Sequence, residues 1–520
     1  MPQLRPTSMS QSRVSTYQGR LYLNENQSAF LDGYARHYNH VERCLYADMR
    51  RHGKPAASFK NEYLIRHSIT ARQFNAIARN LEGKITSVKE LLPLQKDEVE
   101  ARIAKAKKVV AKKKTPFVAH QKKRRLHILE TRLFRIEQQI ESGNPSICFG
   151  SRRLFRAQFE LDKNGYAHHD DWKRDWELKR ASQFYVLGSK DEAAGCQGCT
   201  ISANLDGSFN LRIRSLSKEA GYVSIDNIRI PYGQDVIRQA MRNPQALSYR
   251  FLCDGKGWRV FITTSMPEIK TRSIQSVGAI GVDINADCLA ISETDRFGNL
   301  VGTEVIPLVT YGKDSNQAKA LIGEAVKRIT EKASSASKPI VIEKLDFSKK
   351  KAAMEKEDPR YARMLSCLSY SAITEGVKSR AYRHGIEVVE VNPAYSSIIG
   401  LVTYAQKKGI SVHQAASLVI ARRGCGLRER SIKGEATTPT PKGDHVTFAL
   451  PARNVSKHVW SFWSDVKKIH IAVLAAHFRP PQGEPLARRS KSKCPIFTVR
   501  PRNANRQQHC SAGVMGDIPW

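Results

Sequence analysis

Two acidic residues stand where this sequence otherwise places only apolar or small side chains. Asp283 follows the run GAIGV, and Glu343 ends the run PIVI. A carboxylate inside a buried strand must be neutralised, hydrogen-bonded or bound to a cation, because burying it unpaired is strongly unfavourable. Two such acids facing each other across neighbouring strands form an oxygen-ligand set for Mg²⁺ or Mn²⁺. Two ions held roughly 3.5–4 Å apart would activate water and stabilise the leaving oxygen in phosphodiester hydrolysis.

A third residue of this kind is His413, in the stretch GISVHQAASLVIARRG. Ser411 and Gln414 have the S-x-x-Q spacing of a capping box, which makes His413 the second residue of a helix. Val412, Ala415, Ala416, Val419 and Ile420 recur at helical spacing and form the face that docks on a sheet. His413 lies off the centre of that stripe. The helix dipole disfavours added positive charge there, so the expected form is neutral imidazole, which can ligate a metal.

These residues need a mixed α/β scaffold. The alternation from 277 onward predicts a meander of three strands ending near Ile284, Thr294 and Pro307, with a turn at Phe297-Gly298-Asn299. A helix follows near 314–333, then the buried strand PIVIEKLDF, a basic loop, a helix near 366–384 and the strand IEVVEVNP. In an order strand-strand-strand-helix-strand, the first and fourth strands can be neighbours.

Ahead of this region the texture differs. Residues 20–90 are helical by periodicity, with Phe30, Tyr34, Tyr38, Val41 and Leu45 three or four apart. Residues 101–125 hold eleven Lys or Arg and no acid, and read as two basic helices joined at Pro116. Such a run repels itself unless phosphates neutralise it. Lys105, Lys107, Lys108, Lys112, Lys113, Lys114, Lys122, Lys123, Arg124 and Arg125 are therefore the expected nucleic-acid-binding residues. From 150 to 270 short alternating runs with Asp206-Gly207 and Asp254-Gly255 turns predict β-hairpins.

The whole chain agrees with a polyanionic partner. Its 520 residues carry 85 Lys and Arg against 49 Asp and Glu, a formal net charge of +36. That field attracts nucleic acid. No apolar run approaches the roughly 20 residues of a spanning helix, so no membrane partner is expected. The first 20 residues lack the apolar core of a secretory signal, which points to the cytoplasm. The ten cysteines form no dense framework, and the one CxxC pair, Cys196 and Cys199, has no second pair at ribbon spacing, so zinc is not expected.

The spans GVDINADCLAISETDRFGNLVG, IVIEKLDF, HGIEVVEVNPAYSS and HQAASLVIARRG resemble the RuvC-type, RNase H-fold nuclease domain of TnpB proteins, relatives of type V CRISPR effectors. The likeness covers roughly residues 275–425. It implies an RNA-guided DNA endonuclease: a guide RNA pairs with one strand of double-stranded DNA, the protein reads a short target-adjacent motif, and one RuvC site cuts both strands. The order in front is similar in texture to the recognition lobe and wedge domain of that family. Carried over by position, Asp283 and Glu343 match the first two catalytic acids and metal ligands. His413 falls where the family has a third acid. An imidazole there brings no negative charge and suits Mn²⁺ better than Mg²⁺. Asp444, in PKGDHVTFALP, is the other candidate for that place. Most relatives insert a zinc ribbon after the NPAYSS motif, whereas IIGLVTYAQKKGISV holds no cysteine.

The resulting expectation is a multidomain α+β protein: a flexible N-terminus (1–20), a helical basic recognition lobe (21–145), a β-rich wedge-like domain (146–270), a RuvC-like α/β nuclease domain (275–475) and a basic, disordered tail (476–520). Its cofactors are Mg²⁺ or Mn²⁺ and a guide RNA. Two other functions fit the same residues: a guided DNA-binding protein with weakened or absent cleavage, and a transposase that works without RNA.

Overall fold

The computed structural model describes residues 14–111, 116–215, 221–243, 245–344, 370–440 and 443–478. They form a mixed α/β chain of two compact units. One unit runs to Ile274 and adds Leu308–Ile340 and the described residues up to Val388; the other takes Gln275–Pro307, Val341–Lys344 and the described residues from Val389.

In the first unit, β1 (Val14–Arg20) leads into α1 (Glu25–His52). Asn24 and Gln27 close a capping box at the start of α1, and Gly53 ends it in the left-handed region. Residues 14–20 are thus not part of a flexible terminus. β1 is a full sheet strand, paired antiparallel with β7 (Gly257–Ser265) from Val14↔Ser265 to Arg20↔Arg259. Its alternation of exposed and buried residues, with Tyr17 turned inward, provides the physical reason.

The helices α2 (Ala71–Ala111) and α3 (Pro116–Glu141) bear out the two basic helices broken at Pro116, a residue suited to a first helical turn. Leu92, Val99, Ile103, Leu129 and Ile136 form their seam. The ion pairs Lys96–Glu137 at 2.9 Å and Lys107–Glu130 at 3.7 Å run in opposite senses along the two helices, so the pair is antiparallel.

The stretch 146–270 is less purely β than its sequence texture. It opens with two helices, α4 (Arg152–Ala157) and α5 (His169–Arg180). Ser151 caps the first, and Asp170 and Asp171 in the first turn with Lys179 and Arg180 in the last suit the dipole of the second. The strands between 199 and 265 are those read from the alternation, and residues 183–186 add one that it does not indicate. β2 (Gln183–Val186), β6 (Ser248–Asp254), β7 and β1 form one antiparallel sheet; β3 (Cys199–Ala203), β4 (Phe209–Arg214) and β5 (Tyr222–Ile228) form another. Phe184 stacks on Tyr34 and Phe251, with centroids 4.3 and 4.7 Å apart, at the centre of this core. Cys196 and Cys199 are buried free thiols, and burial pushes Cys196 up to about 11.

The same unit contains α6 (Ser315–Ala336) and α7 (Tyr370–Arg383). Gly376 of α7 lies against Val326 of α6.

The second unit is built on a sheet of order β10-β9-β8-β11-β12, formed by β8 (Ile280–Ile284), β9 (Cys288–Thr294), β10 (Leu300–Pro307), β11 (Ile340–Glu343) and β12 (Val388–Val391). The meander ends at Ile284, Thr294 and Pro307, as the alternation predicts. β11 and β12 are parallel, since Ile340 N–H donates to Glu387 O and Lys344 N–H to Val391 O, four residues further along each.

After β12 come α8 (Ser396–Gly400), a π-turn over Leu401–Ala405 and a last helical turn to Lys408, so the stretch without cysteines is helical. α9 (Val412–Gly424), the hairpin of β13 (Glu435–Pro439) and β14 (His445–Ala449), and α10 (Val459–His477) complete the unit. Residues 479–520, most of the expected tail, lie outside the described residues.

Candidate active site

The topology makes β8 the neighbour of β11, the strands that carry Asp283 and Glu343. Asp283 is buried, with a relative exposure of 7%. Its Oδ2 accepts a hydrogen bond of 2.9 Å from Asn285 Nδ2 and faces His413 Nδ1 at 3.3 Å. A carboxylate only accepts, so Nδ1 carries the hydrogen and Nε2 is the ring nitrogen left for another partner.

α9 delivers His413 to this place because it is pinned at its first turn. Ser411 and Gln414 form the expected capping box. Gln414 Nε2 also donates to Thr303 Oγ1 on β10 at 3.0 Å, and its carbonyl accepts from Ser292 Oγ on β9 at 2.7 Å. Further along, α9 lies almost in contact with the backbone of β8. A Cβ on Gly281 would sit 2.1 Å from Ser417 O, so only glycine permits the approach.

The shift of the His413 imidazole runs opposite to the one the helix terminus alone would give. Its hydrogen bond to Asp283 raises the imidazole pKa above the ordinary value, against a partial opposing effect of burial. The comparison of magnitudes explains this: a helix terminus contributes about 0.3–1 kcal/mol, whereas a hydrogen bond to a charged group contributes about 1.5–3 kcal/mol. Asp287, exposed in the turn between β8 and β9, acts in the same direction.

Glu343 is held by a residue to which sequence reasoning gave no role. Ser396 Oγ donates to Glu343 Oε1 at 2.5 Å. Ser396 opens α8 directly after Tyr395, which takes a left-handed conformation at φ 63°. Such a backbone in a non-glycine residue costs roughly 1–2 kcal/mol and persists where surrounding structure enforces it. Arg423, at the far end of α9, caps the same turn through Asn392 O and Ala394 O; burial lowers its pKa below the ordinary value, and the charge of Glu343 opposes that in part. NPAYSS and ARRG were visible as motifs, but only folding shows that they meet at Glu343.

Asp444, the other candidate for the third position, pairs elsewhere. It lies in the β13–β14 turn, where it pairs with His477 at 3.9 Å.

Asp283, Glu343 and His413 offer the donor chemistry of a divalent-cation site: hard carboxylate oxygens and one imidazole nitrogen. Among the described residues, no three His, Cys, Asp or Glu side chains close into a metal-holding group. The set fits such an ion in kind, with Asp283 and His413 already side by side.

The expected nucleic-acid residues flank the ends of α2 and α3. Lys105, Lys107, Lys108, Lys123, Arg124 and Arg125 are exposed and Lys122 is half-buried. Lys112, Lys113 and Lys114 lie outside the described residues. The run does not lack acidic partners once folded, because Glu130 on the opposing helix meets Lys107 and Glu98 meets Arg102. Arg102, Lys105, Lys122 and Arg125 line a cleft of about 410 Å³ between the helices. No described helix is long and apolar enough to cross a membrane.

No family model and no curated protein matches the chain. Solved structures do. The chain is similar to RuvC and to Cas12 effectors. Thermus thermophilus RuvC bound to a Holliday junction substrate is 18% identical at a TM-score of 0.20, over 28% of this chain and 89% of that one. A Cas12f1–sgRNA–target DNA complex is 10% identical at 0.22, over 79% and 99%. A Cas12i–crRNA–dsDNA complex is 10% identical at 0.25, over 59% and 52%. At these values no residue role transfers from them, and the roles below follow from this chain's own geometry.

Proposed function

We propose that this protein is an RNA-guided, metal-dependent DNA endonuclease whose RNase H-type site consists of Asp283, Glu343 and His413. The single observation that carries the reading is the sheet order, which sets the two acid-bearing strands side by side while α9 brings His413 to Asp283. In this reading the helical and basic part of the first unit receives guide RNA, its sheets support recognition of a short motif beside the target, and the second unit cuts.

Asp283 and Glu343 would hold a Mg²⁺ or Mn²⁺ ion, with His413 Nε2 as a further donor, and the ion would lower the pKa of water and neutralise charge on the scissile phosphate. The protein's own residues set up that chemistry. Asn285 holds one oxygen of Asp283, and Ser396 holds one oxygen of Glu343. Each carboxylate thus loses rotational freedom before substrate arrives, which is what positioning contributes. His413 keeps a proton on Nδ1 against Asp283, and its raised pKa favours a second proton on Nε2, so cation and proton compete for that nitrogen.

That competition favours one second reading, a guided DNA-binding protein with weakened cleavage. Two measurements separate the possibilities. RNA that co-purifies with the protein is sequenced, and a plasmid matched to that RNA is incubated with the complex in Mg²⁺ and in Mn²⁺. One abundant discrete RNA and cleavage lost in Asp283→Ala are expected. Target binding without Asp283-dependent cleavage would leave the guided binder, and the lack of a discrete RNA would leave the unaided transposase.

A further inference from the structure

A second basic region, separate from the run at 101–125, forms a cleft in the first unit. It encloses about 790 Å³, and Arg43 of α1, Arg132 and Arg135 of α3, Arg152 and Arg156 of α4 and Arg180 of α5 line it. No acidic residue does. Among the described residues none of the six forms an ion pair. The nearest acid of α1 is already neutralised, since both oxygens of the buried Glu42 take Lys84 Nζ at 2.7 Å and one takes Asn80.

Six guanidiniums gathered with no ion pair among them repel one another, and the charges of Glu42 and Glu177 offset this only in part at Arg43. Arg43 shows it: burial, and then the charge of Arg180, push its pKa below the ordinary value. Arg180 Nε is buried and has no hydrogen-bond partner. Folding alone gives no return for this arrangement, whereas an anion entering the cleft would satisfy it.

The cleft is also aromatic. Phe155 lies 5.6 Å from Trp176, Trp176 stacks on Trp172 at 6.0 Å with 12° between planes, and Arg180 Cζ stands 5.3 Å from the Trp176 ring. Trp172 is buried, with its indole N–H bound to Leu154 O, so α4 and α5 hold these rings as one platform. Phe155 and Phe159 remain 45% and 74% exposed, unusual for large apolar rings beside a cleft. A second cavity of about 680 Å³ shares Phe149, Arg152 and Arg180 with the first and adds Arg79, Lys84 and Lys179.

Cations without partners identify a phosphate-bearing ligand, and exposed rings at the same mouth identify one that carries flat bases. We infer that this cleft binds a single-stranded segment of nucleic acid, with phosphates on the arginines and a base against Phe155, Phe159 and Trp176. A duplex would present phosphates but keep its bases stacked inside, leaving the rings unused. The inference deepens the proposed function by adding a single-strand site to it, but it needs neither a guide nor cleavage.

The test is fluorescence anisotropy on the full chain, stripped of bound RNA, with labelled 12-mers of single-stranded RNA, single-stranded DNA and duplex DNA. Arg132→Gln/Arg156→Gln and Phe159→Ala alter exposed side chains, and circular dichroism melting confirms that they fold. Loss of a stacking ring should weaken single-strand binding about tenfold, with a smaller change for duplex. The ratio of the wild-type RNA and DNA affinities tells which strand the cleft takes. Single-strand affinities unchanged in both folded variants overturn the proposal. Guided plasmid cleavage, run in parallel, reports separately: cleavage with unchanged oligonucleotide binding sinks only the cleft, and cleft-dependent binding without guided cleavage sinks only the nuclease reading.

Discussion

His413 Nδ1 lies 3.3 Å from Asp283 Oδ2, across 130 positions of chain, with the carboxylate buried and the imidazole half exposed. This contact makes the acid both a candidate metal ligand and the group that orients the histidine. His413→Ala should lower cleavage by about 10–100-fold, the usual cost of removing a group that supports a metal site. His413→Asp should restore cleavage in Mg²⁺, because a carboxylate supplies the charge that imidazole lacks. Plasmid linearisation rates in Mg²⁺ and Mn²⁺ measure both, and an alanine variant as fast as wild type in each metal would remove His413 from the site.

Ser396 acts through Glu343. Ser396→Ala should reduce cleavage about 10–100-fold while leaving target binding intact, and Ser396→Thr, which keeps the hydroxyl, should recover most of it. A loss shared equally by target binding would point to a folding defect in the Tyr395 turn instead.

Gly281 sets how closely α9 approaches β8. Gly281→Ala forces a methyl against Ser417 O and should destabilise the protein by about 1–3 kcal/mol or more, read as a lower thermal midpoint. Gly302, with nothing within 4 Å of a Cβ, is the control, and its alanine variant should melt near wild type.

Asp254 fastens β1 to the β6–β7 hairpin through Arg20 at 2.9 Å and Arg259 at 2.7 Å. The Arg20 hydrogen bond leads the causes that push its carboxyl down to about 2 from an ordinary 3.8. A depressed folded-state pKa adds stability above the unfolded value and loses it as pH falls through the folded one. Asp254→Asn should therefore melt below wild type at pH 7, with the gap closing between about pH 4 and pH 2. A gap independent of pH would show that the carboxylate's charge is not what matters.

Lys105, Lys122 and Arg125, around the cleft between α2 and α3, should meet phosphates. Reversing them should weaken RNA binding and flatten its salt dependence by a slope of about 0.7–0.9 per lost contact. Filter binding across a salt series reads that slope, and an unchanged value would exclude the assignment.

Much of the candidate site was legible because local rules govern it. Acids at the ends of GAIGV and PIVI, and the Ser411–Gln414 capping box, need only neighbours in sequence to be recognised, and all are where periodicity places them. β1 was missed because a lone seven-residue strand near the N-terminus has no hairpin partner close in sequence; β7, its partner, lies more than 200 residues away. Helices α4 and α5 were hidden by the hairpins that follow them, although their caps are local.

The sequence by itself determined the net charge, the positions of the meander strands and the presence of two acids that no apolar strand tolerates unpartnered. Only tertiary structure decided what those acids meet. Ser396 and Arg423 reach the site from segments distant in sequence, and the His413 pKa moves up because a carboxylate 130 residues distant outweighs the helix dipole beside it. The arginine cleft is the same lesson: its six cations come from four helices, so no window of sequence shows a cluster, and packing alone brings the charges together.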